Sequence, residues 1–337
     1  MRRLAFVILA SSLLATFTMV EHYKLLGVRD FQQNVIQQLR ENLQAHQCRL
    51  WGMIAHSLPE DAVLDHLINL PHSLKNLGAI NNDGWGLAYY NDTEPLVLRG
   101  EPPANIDSNF DLAAQELAGS NAEIGVGHVR AAASGATNIP DPHPFIRYKG
   151  NKWWAFGHNG VLSKDMLKNL IGEGYLAENP PTVGDSWDDP DVVDSDLYML
   201  YILKCIEEKN WNITEGIAKA VIDISQVDSG AMNFFLTNGE TLWGFRRGNT
   251  LYYYYNTESP QYSVIASQPP TTTQDGWIAL YDYNLVILTV DNPPSIIGDI
   301  TTVPEFPPFL VMPLFMVVTL IAVIVYRKKI PCNCVQM

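Results

Sequence analysis

The chain has 337 residues, enough for one or two domains with a large core. Its 22 Lys and Arg against 36 Asp and Glu give a net charge of −14, which argues against nucleic acid and anionic lipid as partners. Four cysteines (Cys48, Cys205, Cys332 and Cys334) are too few and too scattered for a disulfide framework.

Residues 1–20 carry Arg2 and Arg3 and then an uncharged apolar run, which reads as a signal peptide or an uncleaved signal anchor. Within 21–47, residues 30–46 place Phe31, Val35, Ile36, Leu39 and Leu43 at helical intervals among glutamines, predicting an amphipathic propeptide or stalk. From Cys48 the pattern changes to short strands and loops. Helices are expected at 60–70, 110–117 and 194–207, the last with an acidic cap before an apolar face. Strands are expected at 87–90 and 96–99 around an Asn-Asp turn, and at 124–130, 153–157, 232–237, 242–244, 251–255, 262–266 and 285–290. These make one mixed domain over 48–291, followed by a Pro-containing linker at 292–308.

Residues 309–326 are uncharged and apolar, about 27 Å long as a helix and just enough to span a bilayer. Arg327, Lys328 and Lys329 open a basic tail at 327–337. Basic residues thus flank both apolar ends, which predicts cytoplasmic termini and an extracytoplasmic middle, with one membrane pass or two. Two glycosylation-type triplets begin at Asn91 and Asn212; they matter only if the segment is exported.

The chemistry-bearing candidates recur in a fixed order. Cys48 opens a short apolar run. Were the Gln47–Cys48 bond cut, one residue would carry both a thiol and an α-amine able to take its proton. Asn82-Asp83-Gly84-Trp85-Gly86 reads as a hairpin turn or as backbone that approaches a ligand closely. Gly127-His128-Val129-Arg130 ends a strand on an arginine suited to a carboxylate, and leads to His143-Pro144-Phe145. In Phe156-Gly157-His158-Asn159-Gly160, a side-chain amide and a backbone N–H can face one developing oxyanion. Asp194-Ser195-Asp196 reads as a helix N-cap or as a site for an ammonium.

Taken in order, these motifs resemble the class II glutamine amidotransferases, N-terminal-nucleophile hydrolases, and within them the small stand-alone branch. That branch also has stretches similar to Met232-Asn233-Phe234-Phe235-Leu236-Thr237-Asn238-Gly239 and Val264-Ile265-Ala266-Ser267-Gln268-Pro269. The resemblance covers about residues 48–290. It implies an α+β fold, a four-layer αββα sandwich of two antiparallel sheets between helical layers, here with terminal transmembrane segments. By the same resemblance Cys48 is the nucleophile, Asn159 and the Gly160 N–H form the oxyanion hole, and Arg130 grips the substrate α-carboxylate. Asp194 binds its α-ammonium, Trp85 and Gly86 line the pocket, and His143 lies in the matching loop. No cofactor and no metal is expected.

Three departures stand out: Ala133 where Thr or Asn is common, Asp196 where Glu is usual, and 47 residues ahead of Cys48. The expected activity is hydrolysis of the γ-glutamyl amide of glutamine or a related compound through a Cys48 thioester. No synthase domain follows, so transfer of ammonia needs a separate accepting partner. The alternative is a non-catalytic surface receptor or adaptor for a γ-glutamyl or amino-acid ligand.

Overall fold

The computed structural model describes residues 47–302 apart from 92 and 133–142. The expected apolar segments at 1–20 and 309–326, the amphipathic stretch at 30–46 and the tail at 327–337 lie outside these residues. Among the described residues no helix is long and apolar enough to cross a membrane.

The chain begins with β1 (Arg49–Ala55), then α1 (Glu60–Leu64) running into a π-helical turn at Asp65–Asn69, and α2 (Leu74–Leu77). A hairpin of β2 (Trp85–Asn91) and β3 (Glu94–Gly100) follows, then α3 (Ser108–Ala118), β4 (Ile124–Val129), β5 (Phe145–Lys149) and β6 (Lys152–Gly160). Four helices come next: α4 (Lys164–Ile171), α5 (Glu173–Glu178), α6 (Asp194–Glu208) and α7 (Ile213–Val227). The chain closes with β7 (Met232–Thr237), β8 (Leu242–Phe245), β9 (Tyr252–Asn256), β10 (Tyr262–Ala266), β11 (Ile278–Ala279), β12 (Leu285–Leu288) and β13 (Ser295–Ile297). The helix starts are set by side chains: Asp107, Ser163 and Asn212 accept from the N–H of Asn109, Met166 and Glu215.

The described strands form two antiparallel sheets, ordered β11-β9-β10-β1-β4-β2-β3 and β13-β12-β8-β7-β6-β5. Strand alternation explains how they stack. On β1, Trp51, Met53 and Ala55 join Val63, Leu67, Phe110 and Leu117 beneath the helices that cover the first sheet. Leu50 and Ile54 point the other way and pack on Phe235, Leu242 and Val286 of the second sheet. The second sheet repeats the pattern: Trp154, Phe156, Phe234 and Leu236 face Leu197, Leu200, Ile217 and Val221 of the helices over it. Helices therefore flank two sheets that face each other, an α+β arrangement.

Several elements escaped the sequence reading. The helix at Ile213–Val227 was not expected, nor were the strand at Phe145–Lys149 and the helix at Lys164–Ile171. Strand pairing also continues into the stretch read as a linker, because Ile297 of β13 lies opposite Leu285 of β12.

Candidate active site

Cys48 immediately precedes β1, whose register against β4 pairs Arg49 with Val129 and Leu50 with His128. Continued by one residue, that register sets Cys48 opposite Arg130. Both share the parity of Leu50, Ile54, Ile124 and Val126, which face the second sheet. On β6 the residues of the parity of Ala155 face inward, and these include Asn159. Two strands from opposite sheets thus bring Cys48 and Asn159 to the walls of one cavity of about 250 Å³, which Gly160, Ala131, Ala231 and Asn249 also line.

The thiol is held by backbone. Cys48 Sγ accepts from the Ala131 N–H at 3.4 Å and donates to the Ala131 carbonyl at 3.6 Å. The buried Arg49 folds back, donating to the carbonyls of Gln47 and, at 3.3 Å, of Cys48. Burial lowers the Arg49 pKa, while the neighbouring Cys48 pulls it up.

Asn159 is held by a neighbour in the cavity wall. Asn249 Nδ2 donates at 3.0 Å to both the side-chain and the main-chain oxygens of Asn159. Asn233 pins Asn249 in turn: its Oδ1 accepts from the N–H of Arg247 and Asn249, and its Nδ2 donates to the carbonyls of Asn249 and Thr250. Gly160 has no room for a side chain, since a Cβ there would sit 1.8 Å from the Ala231 carbonyl oxygen. Sequence reasoning missed Asn249; its only local signal, a Gly-Asn turn after two arginines, says nothing about reaching β6.

The remaining candidates occupy other positions. Arg130 is buried, and its backbone is locked to the Asn-Asp-Gly turn: its N–H donates to Gly84 at 3.0 Å and its carbonyl accepts from Asp83 at 3.1 Å. Asp83 Oδ2 also accepts from the Ala132 N–H at 2.7 Å, steadying the chain next to the thiol's contact. Ala133 lies outside the described residues. His143 stacks on His128 at 4.2 Å and meets Phe145 edge-on, and it is not among the residues lining the cavity. Burial first, then the charges of His158, Arg130 and Arg99, hold its imidazole well below the usual range, so it is neutral. Gly86 admits this loop, because a Cβ there would lie 2.0 Å from the His143 carbonyl oxygen.

Trp85 faces away from the second sheet. Alternation along β2 turns it to the helix-covered face, where its indole N–H donates to Asp107 at 2.9 Å and its ring meets Phe110 edge-on. It does not line the cavity, so the Trp-Gly pair is divided between two faces of one sheet.

Asp194 is not an N-cap either, since Val193 holds that position. The Asp194 carboxylate accepts from the Leu162 N–H at 2.7 Å and lies 3.9 Å from His158 Nδ1, next to the end of β6. It is buried and does not itself line the cavity. Asp196, where the shorter carboxylate was noted, pairs with Arg147 at 2.6 Å and accepts from the Thr182 N–H and hydroxyl, tying down the loop before α6. A larger cavity of about 580 Å³ opens between Tyr90, Tyr148 and Trp153, and contains none of the predicted site residues.

The chain is similar to several known proteins. An uncharacterized protein of Methanocaldococcus jannaschii is 29% identical over 52% of this chain and 45% of its own length. A Haemophilus influenzae protein with a provisional glutamine amidotransferase name is 27% identical over 53% of this chain and 56% of its own. The chain thus spans about half the length of these curated relatives. In fold, it matches the glutamine phosphoribosylpyrophosphate amidotransferase of B. subtilis with a TM-score of 0.51 at 16% identity, over 75% of this chain and 49% of that one. A class-II domain protein from Silicibacter pomeroyi matches with a TM-score of 0.50 at 17% identity, over 74% of this chain and 98% of that one. Residues 47–264, well over half of the sequence, match the model for glutamine amidotransferases class-II, and the chain belongs to that family.

Proposed function

We propose that this protein hydrolyses the γ-amide of glutamine, or of a related γ-glutamyl compound, with Cys48 as an N-terminal nucleophile. The observation carrying this reading is that the Cys48 thiol and the Asn159 amide line one small cavity from opposite sheets. With Gln47 attached, the α-nitrogen of Cys48 is a planar amide that cannot accept a proton at neutral pH. Cutting that bond frees an amine with a pKa near ~8, which takes the thiol proton.

The thiolate then attacks the amide carbon, and charge collects on its oxygen. Asn159 Nδ2 and the Gly160 N–H donate to that oxyanion. Ammonia leaves with a proton from the α-ammonium of Cys48, and water opens the resulting thioester to give glutamate. In this scheme Arg130 holds the substrate α-carboxylate and Asp194 its α-ammonium, a cation and an anion for the two charges of an amino-acid head. His143 and Gly86 shape the wall behind Arg130. A transferase outcome requires an acceptor for the ammonia.

Purified chain beginning at Cys48 is expected to release glutamate and ammonia from glutamine or a γ-glutamyl peptide, and the Cys48→Ala variant is not. Equal turnover by the two would remove the mechanism.

The apolar, charge-flanked ends of the sequence support a membrane-tethered enzyme with its catalytic domain outside the cytoplasm. Protease added to intact cells is expected to degrade the domain and spare the basic tail. Protection of the domain would place it inside.

A further inference from the structure

We infer that Asn249 is a positioning residue, one that orients the Asn159 amide so that its NH2 end faces the cavity; this rests on the hydrolase reading above. The two ends of a side-chain amide are nearly the same size and opposite in hydrogen-bonding sense, so partners decide which end points where. At Asn159 the choice has a chemical consequence. An NH2 facing the reacting carbonyl stabilises an oxyanion, while a carbonyl oxygen in that place repels it.

Asn249 makes the choice. Its own NH2 donates at 3.0 Å to Asn159 Oδ1 and at 3.0 Å to the Asn159 main-chain oxygen. A donor placed against Oδ1 turns Asn159 Nδ2 the other way. Asn249 is kept from flipping by the Asn159 main-chain oxygen, which can only accept, and its backbone is fixed by the turn that carries it. Asn233 contacts both the N–H and the carbonyl of Asn249, at 3.2 Å and 2.8 Å. Arg246 Nε donates to the same carbonyl at 2.9 Å. Gly248, at φ +97°, donates its N–H to Asp282 at 2.9 Å. Arg247 reaches the Asp228 carbonyl at 2.9 Å and lies over the Tyr283 ring. The turn is thus anchored to β7 and to the chain ahead of β12, and it presents a donor that Asn159 cannot supply for itself.

The test compares Asn249→Asp with Asn249→Ala, each expressed as the full-length chain and processed to a Cys48 start. Aspartate has nearly the shape of asparagine but offers only acceptors, so it draws the Asn159 NH2 toward itself and turns the carbonyl into the cavity. Alanine merely removes the restraint. The expected order of kcat is wild type above alanine above aspartate, with aspartate lower than wild type by about 10²-fold, the scale of a lost oxyanion donor. KM for glutamine should change less than threefold. Melting temperature and the rate of Cys48 alkylation by iodoacetamide should stay near wild type, since alkylation builds no oxyanion.

A residue that only fills space would give the opposite order, with the isosteric aspartate milder than alanine, and that result overturns the inference. So would a fall in kcat matched by a fall in alkylation rate. Wild-type protein with no hydrolase activity would instead sink the reading on which the inference rests. Active wild type with a fully active Asn249→Asp variant sinks the inference alone.

Discussion

The end of the sandwich that holds Cys48 and the two helix-covered faces treat the same chemical groups in opposite ways. Beneath the helices of the second sheet, the buried Cys205 thiol is pushed up to about 12, first of all by burial, and is inert. Beneath the helices of the first sheet, burial lowers His66 to about 4, and its Nδ1 accepts from the Trp51 indole N–H at 3.2 Å. Both groups are driven to their neutral forms, the cheaper state where water is excluded. At the open end, Cys48 is half-buried, touches backbone N–H and carbonyl, and has a guanidinium beside it. Placement, not residue type, separates the half-buried Cys48 thiol from the core thiol of Cys205.

The largest expected effect contrasts the two cysteines. Cys48→Ala should lower kcat for glutamine by at least ~10³-fold, the scale on which nucleophile loss is felt. Cys205→Ala should leave kcat within twofold and cost about 1 kcal/mol of stability, from a small cavity under α6. Steady-state kinetics with a denaturant curve checks both. Comparable losses of activity in the two variants would erase the distinction.

Next in size is Arg130→Ala. A buried guanidinium that binds a carboxylate contributes roughly 1.5–3 kcal/mol, so kcat/KM for glutamine should fall by about 10- to 100-fold. The same substitution should be nearly silent on 4-aminobutanamide, which lacks the α-carboxylate. An equal penalty on both substrates would mean that Arg130 supports the fold rather than the substrate.

The remaining effect belongs to the dry face and appears only in acid. His66 is neutral in the folded protein down to about pH 4, while an unfolded imidazole titrates near ~6.5. Between those values the unfolded chain binds more protons, so stability falls as pH drops from ~6.5 toward about 4, by about 3 kcal/mol at most. His66→Phe should flatten this part of a stability-against-pH curve. An unchanged slope would show that His66 does not titrate in this window.

Legibility in the sequence followed locality. The motifs around Cys48, Arg130, Asn159 and Asp194 could be read because each is a short run with its own chemistry. Where they lie in space depends on strand parity, and parity separated Trp85 from Gly86, two neighbours that the motif had joined. Asn249 was illegible for the opposite reason: its partner, Asn159, is 90 residues away, and no local pattern encodes the meeting. The helix at Ile213–Val227 was legible but overlooked. Asn212 caps it, Glu215 stands three residues on, and Ile217, Val221 and Ile224 follow at helical spacing. Asn212, which also opens a glycosylation-type triplet, accepts from the Glu215 N–H and donates to the Glu215 carboxylate.

The central claim is that Cys48 becomes an N-terminal nucleophile. It is tested most directly by mass analysis of protein from the membranes of expressing cells, after treatment with a glutamine-mimicking electrophile. The account predicts a chain that begins at Cys48 and carries one covalent adduct on that residue. A chain that begins upstream of Cys48 in all of the material, with Cys48 unmodified, would contradict it.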